Sequence, residues 1–223
     1  MQEIISQAKM QNRTHIFNWD YFREVPMIGI FRNIPLADVA QILPLCATAG
    51  IRTLEITMNT ERAGEIISYA VEEFGDQLNI GAGTVCCMED LKMALDHGAS
   101  FIVTPNLDPE VILECVKRGI QVFPGAFTPT EIYKAWKLGA SMVKVFPADN
   151  LGTKFISNVK APFGTIKLLP TGGIGMSNAL DYFKAGADGV GISNGLFDKT
   201  MIANKDWKSL EAHLVAFVSL LRK

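Results

Sequence analysis

A lysine in one apolar run and a carboxylate in another are the residues of this sequence best suited to chemistry. Lys144 stands in the run SMVKVFP (141–147), and Glu55 stands in the run TLEIT (53–57). A lysine that is buried without a partner tends to lose its proton, and the free amine is a nucleophile toward carbonyl groups. A nearby carboxylate can move protons during such a reaction. Together the two residues predict imine chemistry on a ketone.

Each of these residues also has a purely structural interpretation. The Lys144 side chain could extend from the end of its strand into solvent. In an alternating strand, Glu55 lies on the face opposite to Leu54 and Ile56, where it could form an ion pair with Lys144 or Arg32. Because such an ion pair would itself bring Glu55 close to Lys144, both interpretations stay open at this point.

The composition is that of one globular domain, spanning residues 1–223. The chain has 48% apolar and 20% charged residues, enough to bury one sizeable core. Its formal net charge is −2, and lysine and arginine form no long cluster. We therefore expect the partners to be small molecules and copies of the same chain, and not nucleic acid.

Cysteine and histidine spacing indicates neither a metal site nor a disulfide framework. The sequence has no CxxC pair and no HxxxH pair, so no metal and no cofactor is expected. Residues 1–20 carry polar side chains throughout, unlike a signal peptide or a membrane span. These features predict a cytoplasmic protein without membrane contact, in which the cysteines are small apolar fillers.

A repeated boundary indicates how these residues are positioned. Helix-like segments end at a glycine, as a left-handed helix stop would require, and a β-rich run follows; the repeat is about 20–25 residues, the length of one βα unit. The boundaries are Gly50, Gly75, Gly98, Gly119, Gly139, Gly164 and Gly186.

Seven strands after these glycines and an opening strand at 26–31 make eight. Near-continuous apolar strands that alternate with helices predict an α/β fold, a (β/α)8 TIM barrel. Residues 1–25 would be an N-terminal helical extension that plugs the barrel bottom or contacts a subunit, and 207–221 would be the closing helix. An open doubly wound sheet is less favoured, because Gly81-Ala-Gly83 lacks the third glycine of a dinucleotide fingerprint.

Polar residues gather where the predicted strands end, the catalytic side of such barrels. Gly172-Gly173 and Ser193-Asn194 follow the last two strands, where free backbone N–H groups can hold a phosphate, although two ordinary turns would look the same. Arg32 ends the first strand and offers a forked cation to an anionic substrate, unless it is a surface residue.

Six motifs in order resemble the 2-keto-3-deoxy-6-phosphogluconate / 4-hydroxy-2-oxoglutarate aldolases, from about Met27 to the last helix. Their joint order is far more specific than any one of them. The resemblance implies a metal-independent class I aldolase that splits a 2-keto-4-hydroxy acid into pyruvate and an aldehyde on a trimeric barrel. The motifs are LEIT (54–57), GAGTV (81–85), FIVTP (101–105), FPG (123–125), VKVFP (143–147) and PTGGI (170–174).

The resemblance also assigns roles. It implies a Schiff base on Lys144 and proton transfer by Glu55. It implies a pyruvate pocket, in which Thr84 binds the carboxylate and Pro105 and Phe146 form walls. The contacts that it implies to the hydroxyls and phosphate of the substrate come from Thr171, Gly172 and Gly173.

Two departures from the family pattern concern the substrate. Many phosphogluconate-type members have arginine where this chain has Asn59, whereas phosphogalactonate-type relatives have asparagine there; Thr171 instead favours the gluconate type. Ser193-Asn194 replaces the common Gly-Ser, which is compatible with a phosphate or with a smaller, unphosphorylated tail.

Two further hypotheses remain on sequence alone. One is a phosphate-binding isomerase or epimerase, in which Glu55 is a simple base and Lys144 only an electrostatic helper. The other is a sugar-acid binding protein without turnover, which the intact set of Glu55, Thr84 and Lys144 disfavours.

Overall fold

The structure, a computed structural model, describes residues 15–222, and in it parallel strands alternate with helices. The strands are β1 Met27–Phe31, β2 Thr53–Thr57, β3 Asn79–Gly83, β4 Phe101–Val103, β5 Gln121–Phe123, β6 Gly125–Ala126, β7 Val143–Val145, β8 Leu168–Pro170 and β9 Val190–Ile192. The helices are α1 Trp19–Glu24, α2 Leu36–Ala49, α3 Ala63–Phe74, α4 Met88–Asp96, α5 Pro109–Lys117, α6 Pro129–Lys137, α7 Gly152–Lys160, α8 Ala179–Lys184, α9 Lys199–Ala203 and α10 Trp207–Leu221.

The strands form two parallel sheets that adjoin at both ends. One sheet has the order β5-β4-β3-β2-β1-β9, and the other has the order β6-β7-β8. Between β5 and β6 only Pro124 intervenes, and a proline has no N–H to donate to a ladder. At the other junction Thr171, just after β8, forms a parallel bridge with Gly191 of β9. The architecture is thus an α/β fold on a curled parallel sheet.

The predicted glycine boundaries are confirmed at five positions and wrong in backbone conformation at two. Gly75 has φ −59° in the right-handed region, because its N–H still donates to Val71 O at 2.9 Å and so continues the helical pattern. Gly164 also lacks a positive φ; it lies in a turn after α7. The left-handed glycines are Gly50, Gly98, Gly119, Gly139 and Gly186.

The interior of the curled sheet is filled at one end by aromatic side chains. Phe101 of β4 and Phe123 of β5 pack 5.7 Å apart, and Phe17 lies 5.3 Å and 5.8 Å from them between ring centroids. Phe22 of α1 joins the same buried cluster. Residues 15–25 therefore place aromatic rings in the interior, as the plugging interpretation requires, but only 19–24 are helical; the rest of the predicted extension lies outside the described residues.

Strand alternation explains why polar side chains lie in the interior of the curled sheet. In β2, Leu54 and Ile56 pack into the larger core between sheet and helices, so Glu55 lies on the inner face. In β7 the same alternation places Val143 and Val145 outward and Lys144 inward. Lys144 and Glu55 thus lie in the same interior as the cluster of Phe17, Phe22, Phe101 and Phe123, which we call the aromatic plug.

The C-terminal part differs from the sequence prediction by one element. The closing helix α10 is confirmed at Trp207–Leu221, but the five-residue helix α9 before it was not predicted. Asp198 caps α9 by accepting from the N–H groups of Thr200 and Met201. Within 15–222 no helix combines the length and the apolar character needed to cross a bilayer.

Candidate active site

Lys144 is buried in the middle of the three-stranded sheet. It pairs with Gly125 of β6 and Leu169 of β8, and only 2% of its surface is exposed. Its Nζ atom lies 5.0 Å from the centroid of the Phe146 ring. Burial lowers the pKa of the Lys144 ammonium, the positive charge of Arg32 lowers it further, and Glu55 opposes both. The lysine is therefore more readily available as a free amine than an ordinary surface lysine.

Glu55 is a buried carboxylate without a complete set of partners. It is 1% exposed, and its Oε1 atom has no hydrogen-bond partner among the described residues. Burial raises the pKa of the Glu55 carboxyl, whereas the charges of Lys144 and Arg32 lower it. The ion pair with Lys144 or Arg32 that the structural interpretation requires is not formed among the described residues, so the unpartnered Oε1 favours a role in chemistry.

Glycine at position 83 makes room for this carboxylate. A Cβ atom at Gly83 would lie 2.2 Å from Glu55 Oε1, far inside contact distance. The next residue, Thr84, has φ +56°, a left-handed conformation that is rare for a β-branched residue and costs on the order of 1–3 kcal/mol. Strain of this kind concentrates at functional sites, and it marks the end of β3 next to Glu55.

A cleft of about 910 Å³ opens at the carboxyl ends of β1, β7, β8 and β9. Gly172 and Gly173, with φ of 104° and 68°, form part of its wall. A Cβ atom at Gly173 would lie 2.5 Å from Asp149 Cβ, so this position needs glycine for space as well as for conformation. The cleft brings together seven residues predicted from the sequence: Arg32, Phe146, Thr171, Gly172, Gly173, Ser193 and Asn194.

The remaining predicted residues lie around this cleft and not in its wall. Lys144 and Glu55 lie in the interior, and Phe146 links the cleft to Lys144. The Pro105 backbone packs against Gly125, where a Cβ atom would lie 2.3 Å from the Pro105 carbonyl. Asn59 is exposed and lines an adjoining cavity of about 460 Å³, which shares Asn33 and Pro35 with the cleft.

Sequence reasoning missed charged residues of the cleft wall, namely Asp38 in the first turn of α2 and Lys199 at the start of α9. Lys199 follows the last strand closely enough to have been considered. Asp38 carries no local signal, because an acidic residue in a first helical turn is common on any surface. Within 15–222 no group of three or more His, Cys, Asp and Glu side chains is arranged to hold a metal ion.

The family model for the KDPG and KHG aldolases matches residues 20–213. The 2-dehydro-3-deoxy-phosphogluconate aldolase of Treponema pallidum (strain Nichols) is 40% identical over 60% of this chain and 64% of its own length. The 2-dehydro-3-deoxy-6-phosphogalactonate aldolase of Escherichia coli (strain K12) is 33% identical over 78% of this chain and 85% of its own. A solved structure described as native KDPGal superposes with a TM-score of 0.82 at 31% identity, covering 88% of this chain and 94% of that one.

These matches define the class of the protein: it is an aldolase, and aldolases are lyases. More narrowly, the chain belongs to the KDPG and KHG aldolase family.

Proposed function

We propose that this chain is a class I aldolase that reversibly cleaves a 2-keto-3-deoxy-6-phospho sugar acid, or 4-hydroxy-2-oxoglutarate, to pyruvate and an aldehyde. The observation that carries the proposal is the inward-facing Lys144, 2% exposed and with a lowered pKa, on the same inner face as a buried carboxylate. The named activities of the relatives support the same reaction class.

The chemistry follows from these two residues. The Lys144 amine attacks the C2 carbonyl carbon to give a carbinolamine, and loss of water gives an iminium ion. The base takes the proton of the C4 hydroxyl, the C3–C4 bond breaks, and its electron pair moves into the iminium to give an enamine and the aldehyde. Protonation at C3 and hydrolysis then release pyruvate and the free amine.

Glu55 is suited to the proton transfers of these reaction steps. Burial raises the pKa of the Glu55 carboxyl, against the lowering effect of Lys144 and Arg32, so this group holds a proton more readily than an exposed glutamate. The acid form can protonate the departing hydroxide of the carbinolamine. The base form can accept the proton of the C4 hydroxyl, directly or through a water molecule.

The cleft supports a substrate longer than pyruvate. Its backbone N–H groups at Gly172 and Gly173 and its cation Arg32 suit an anionic tail. Ser193 and Asn194 form a further part of the wall, with Ser193 Oγ donating to Ile30 O at 3.3 Å. We therefore propose that C1 to C3 lie near Lys144 and that the phosphate lies at the glycine pair.

We propose a phosphogluconate-type substrate. The alternatives are a phosphogalactonate-type substrate, which differs in stereochemistry, and an unphosphorylated 2-keto-3-deoxy acid. Thr171 lies in the cleft wall and supports the first, whereas Asn59 supports the second. The comparison that separates them is kcat/KM for cleavage of both phosphorylated acids and of 4-hydroxy-2-oxoglutarate, measured by coupled pyruvate release.

The fold proposed for this function is a closed (β/α)8 barrel. With β5 and β6 counted as one strand broken at Pro124, the described strands number eight. The bridge between Thr171 and Gly191, and the N–H of Asp188 donating to Leu168 O at 2.9 Å, support closure between β8 and β9.

The direct test of the proposed function is reductive trapping. Incubation with pyruvate and cyanoborohydride should add the mass of a reduced pyruvate imine to the peptide that contains Lys144. Absence of this adduct under conditions where the protein is folded would overturn the proposal.

The pH dependence of trapping should report the charges around Lys144. The reaction needs the free amine, so its rate should rise with pH through the Lys144 pKa. Arg32→Met removes a cation that lowers this pKa, so the midpoint should move to higher pH. Glu55→Gln removes the anion that raises it, so the midpoint should move to lower pH. The exposed Arg118→Met is the control; equal midpoints in all variants would contradict the electrostatic assignment.

Metal removal should leave cleavage unaffected. The proposed chemistry uses the iminium ion as its electron sink and therefore needs no Lewis acid. We expect the same kcat before and after dialysis against EDTA. A loss of activity that Mg²⁺, Mn²⁺ or Zn²⁺ restores would contradict a metal-independent mechanism.

We further propose that the protein works as a cytoplasmic homotrimer. Large apolar side chains are 41–52% exposed on successive segments, which is the surface expected of a self-association interface. They are Met93 of α4, Leu113 of α5, Phe127 before α6 and Tyr133 of α6. Light scattering should give three times the chain mass, whereas a monomeric mass at micromolar concentration would contradict the proposal.

A further inference from the structure

The wall of the 910 Å³ cleft contains a negatively charged side chain, which would repel an anionic ligand. Among the described residues, the wall contains three charged side chains, the cations Arg32 and Lys199 and the anion Asp38. Asp38 is only 7% exposed, so little water screens its charge. An uncompensated carboxylate here would repel a phosphate that binds in the same cleft.

Asp38 is compensated by a lysine from the other end of the chain. Lys205 Nζ donates to Asp38 Oδ1, although 167 positions separate the two residues. Lys205 itself lies outside the cleft wall, and its side chain is 55% exposed. Its charge therefore acts on the cleft chiefly through Asp38.

The position of Lys205 is fixed by the turn between α9 and α10. Its backbone adopts φ +55°, uncommon for a residue other than glycine, and its N–H donates to Ile202 O at 3.0 Å. Its ammonium group lies 5.6 Å from the centroid of the Trp207 ring. The left-handed backbone conformation and the contact with the Trp207 ring together indicate that the Lys205 side chain is held in position near Asp38.

We propose that the Asp38–Lys205 ion pair sets the selectivity of the cleft for a phosphorylated tail. With the pair intact, the Asp38 charge is compensated, and the wall keeps two uncompensated positive charges, those of Arg32 and Lys199. Without Lys205, the Asp38 carboxylate offsets one of these two charges and raises the cost of binding a phosphate in the same cleft, whereas it affects a neutral hydroxyl tail much less. Lys205 is thus a positioning and charge-compensating residue, and the inference rests on the proposed aldolase function.

A second effect of the pair has to be separated from this one. The same contact ties α2 to the segment 199–205, so its loss could displace the wall mechanically. Displacement would weaken binding of phosphorylated and unphosphorylated substrates together. A charge effect would weaken only the first, and it would disappear when the Asp38 charge is removed as well.

The experiment compares Lys205→Met, Lys205→Arg and the double variant Asp38→Asn/Lys205→Met. For each, kcat/KM is measured with a 2-keto-3-deoxy-6-phospho sugar acid and with its unphosphorylated counterpart. The ratio of the two values should fall about fivefold in Lys205→Met, as expected for one uncompensated charge near a dianion. It should stay near the original value in Lys205→Arg and return toward it in the double variant.

The results that would overturn the proposal are distinct. An unchanged ratio in Lys205→Met, or a low ratio that persists in the double variant, contradicts the charge-compensation role. Trapping of pyruvate on Lys144 is run on the same variants, because pyruvate has no tail and reports the imine chemistry alone. Failure of trapping in the original protein would instead contradict the proposed function, and inorganic phosphate as a titrated ligand would then test the charge effect directly.

Discussion

Lys144→Arg should reduce kcat/KM for cleavage on the order of 10⁴-fold or more. A guanidinium keeps the positive charge and much of the length of the side chain, but it stays protonated and cannot form an imine. The substitution therefore separates covalent chemistry from electrostatic help. Trapping with pyruvate and cyanoborohydride should be abolished at the same time.

The matched control for this variant is Lys154→Arg, at an exposed lysine of α7 outside the cleft. It should retain normal turnover and trapping. If Lys144→Arg kept activity within about tenfold of the original, Lys144 would act as an electrostatic helper. The isomerase or epimerase hypothesis, with Glu55 as a simple base, would then become the better account.

Glu55→Gln should lower kcat about 10²- to 10⁴-fold, the usual range for a group that transfers protons in the transition state. The amide has nearly the shape of the carboxyl group, so it fits the space beside Gly83 but cannot exchange a proton. KM should change much less than kcat. Slow single-turnover trapping should persist, since Lys144 remains present.

Glu72→Gln, at an exposed glutamate of α3, is the control and should behave as the original protein. A Glu55→Gln variant with unchanged kcat would show that another group moves the protons. A variant that unfolds at lower temperature without loss of kcat would show a structural carboxylate, the interpretation that the unpartnered Oε1 disfavours.

Most of the fold could be predicted because its signals are local. An apolar run after a glycine places a strand, and alternation within it places Glu55 opposite to Leu54 and Ile56. The order of strands in a parallel sheet then follows from short right-handed connections. Neither step requires knowledge of a distant residue.

The features that escaped prediction depend on contacts between distant parts of the chain or on backbone geometry. The run QVFPG reads as one strand, but Pro124 divides it into β5 and β6. No spacing rule predicts the ion pair between Asp38 and Lys205. The left-handed backbone conformation of Thr84 was not predicted either, because its motif has the sequence of an ordinary strand end. The residues proposed for the imine chemistry and seven residues of the cleft wall could therefore be predicted from the sequence, whereas the Asp38–Lys205 contact and the backbone conformation of Thr84 could not.

The aromatic plug has a consequence for the order of events in turnover. Phe17, Phe101 and Phe123 fill the interior on the side away from the cleft, so we expect substrate and products to pass through the cleft. In the proposed reaction, the aldehyde forms on the cleft side while the three-carbon fragment is still bonded to Lys144 in the interior. We therefore expect the aldehyde to leave first, and pyruvate to follow after water has entered and hydrolysed the imine. In the synthetic direction we expect the reverse order, with pyruvate binding before the aldehyde.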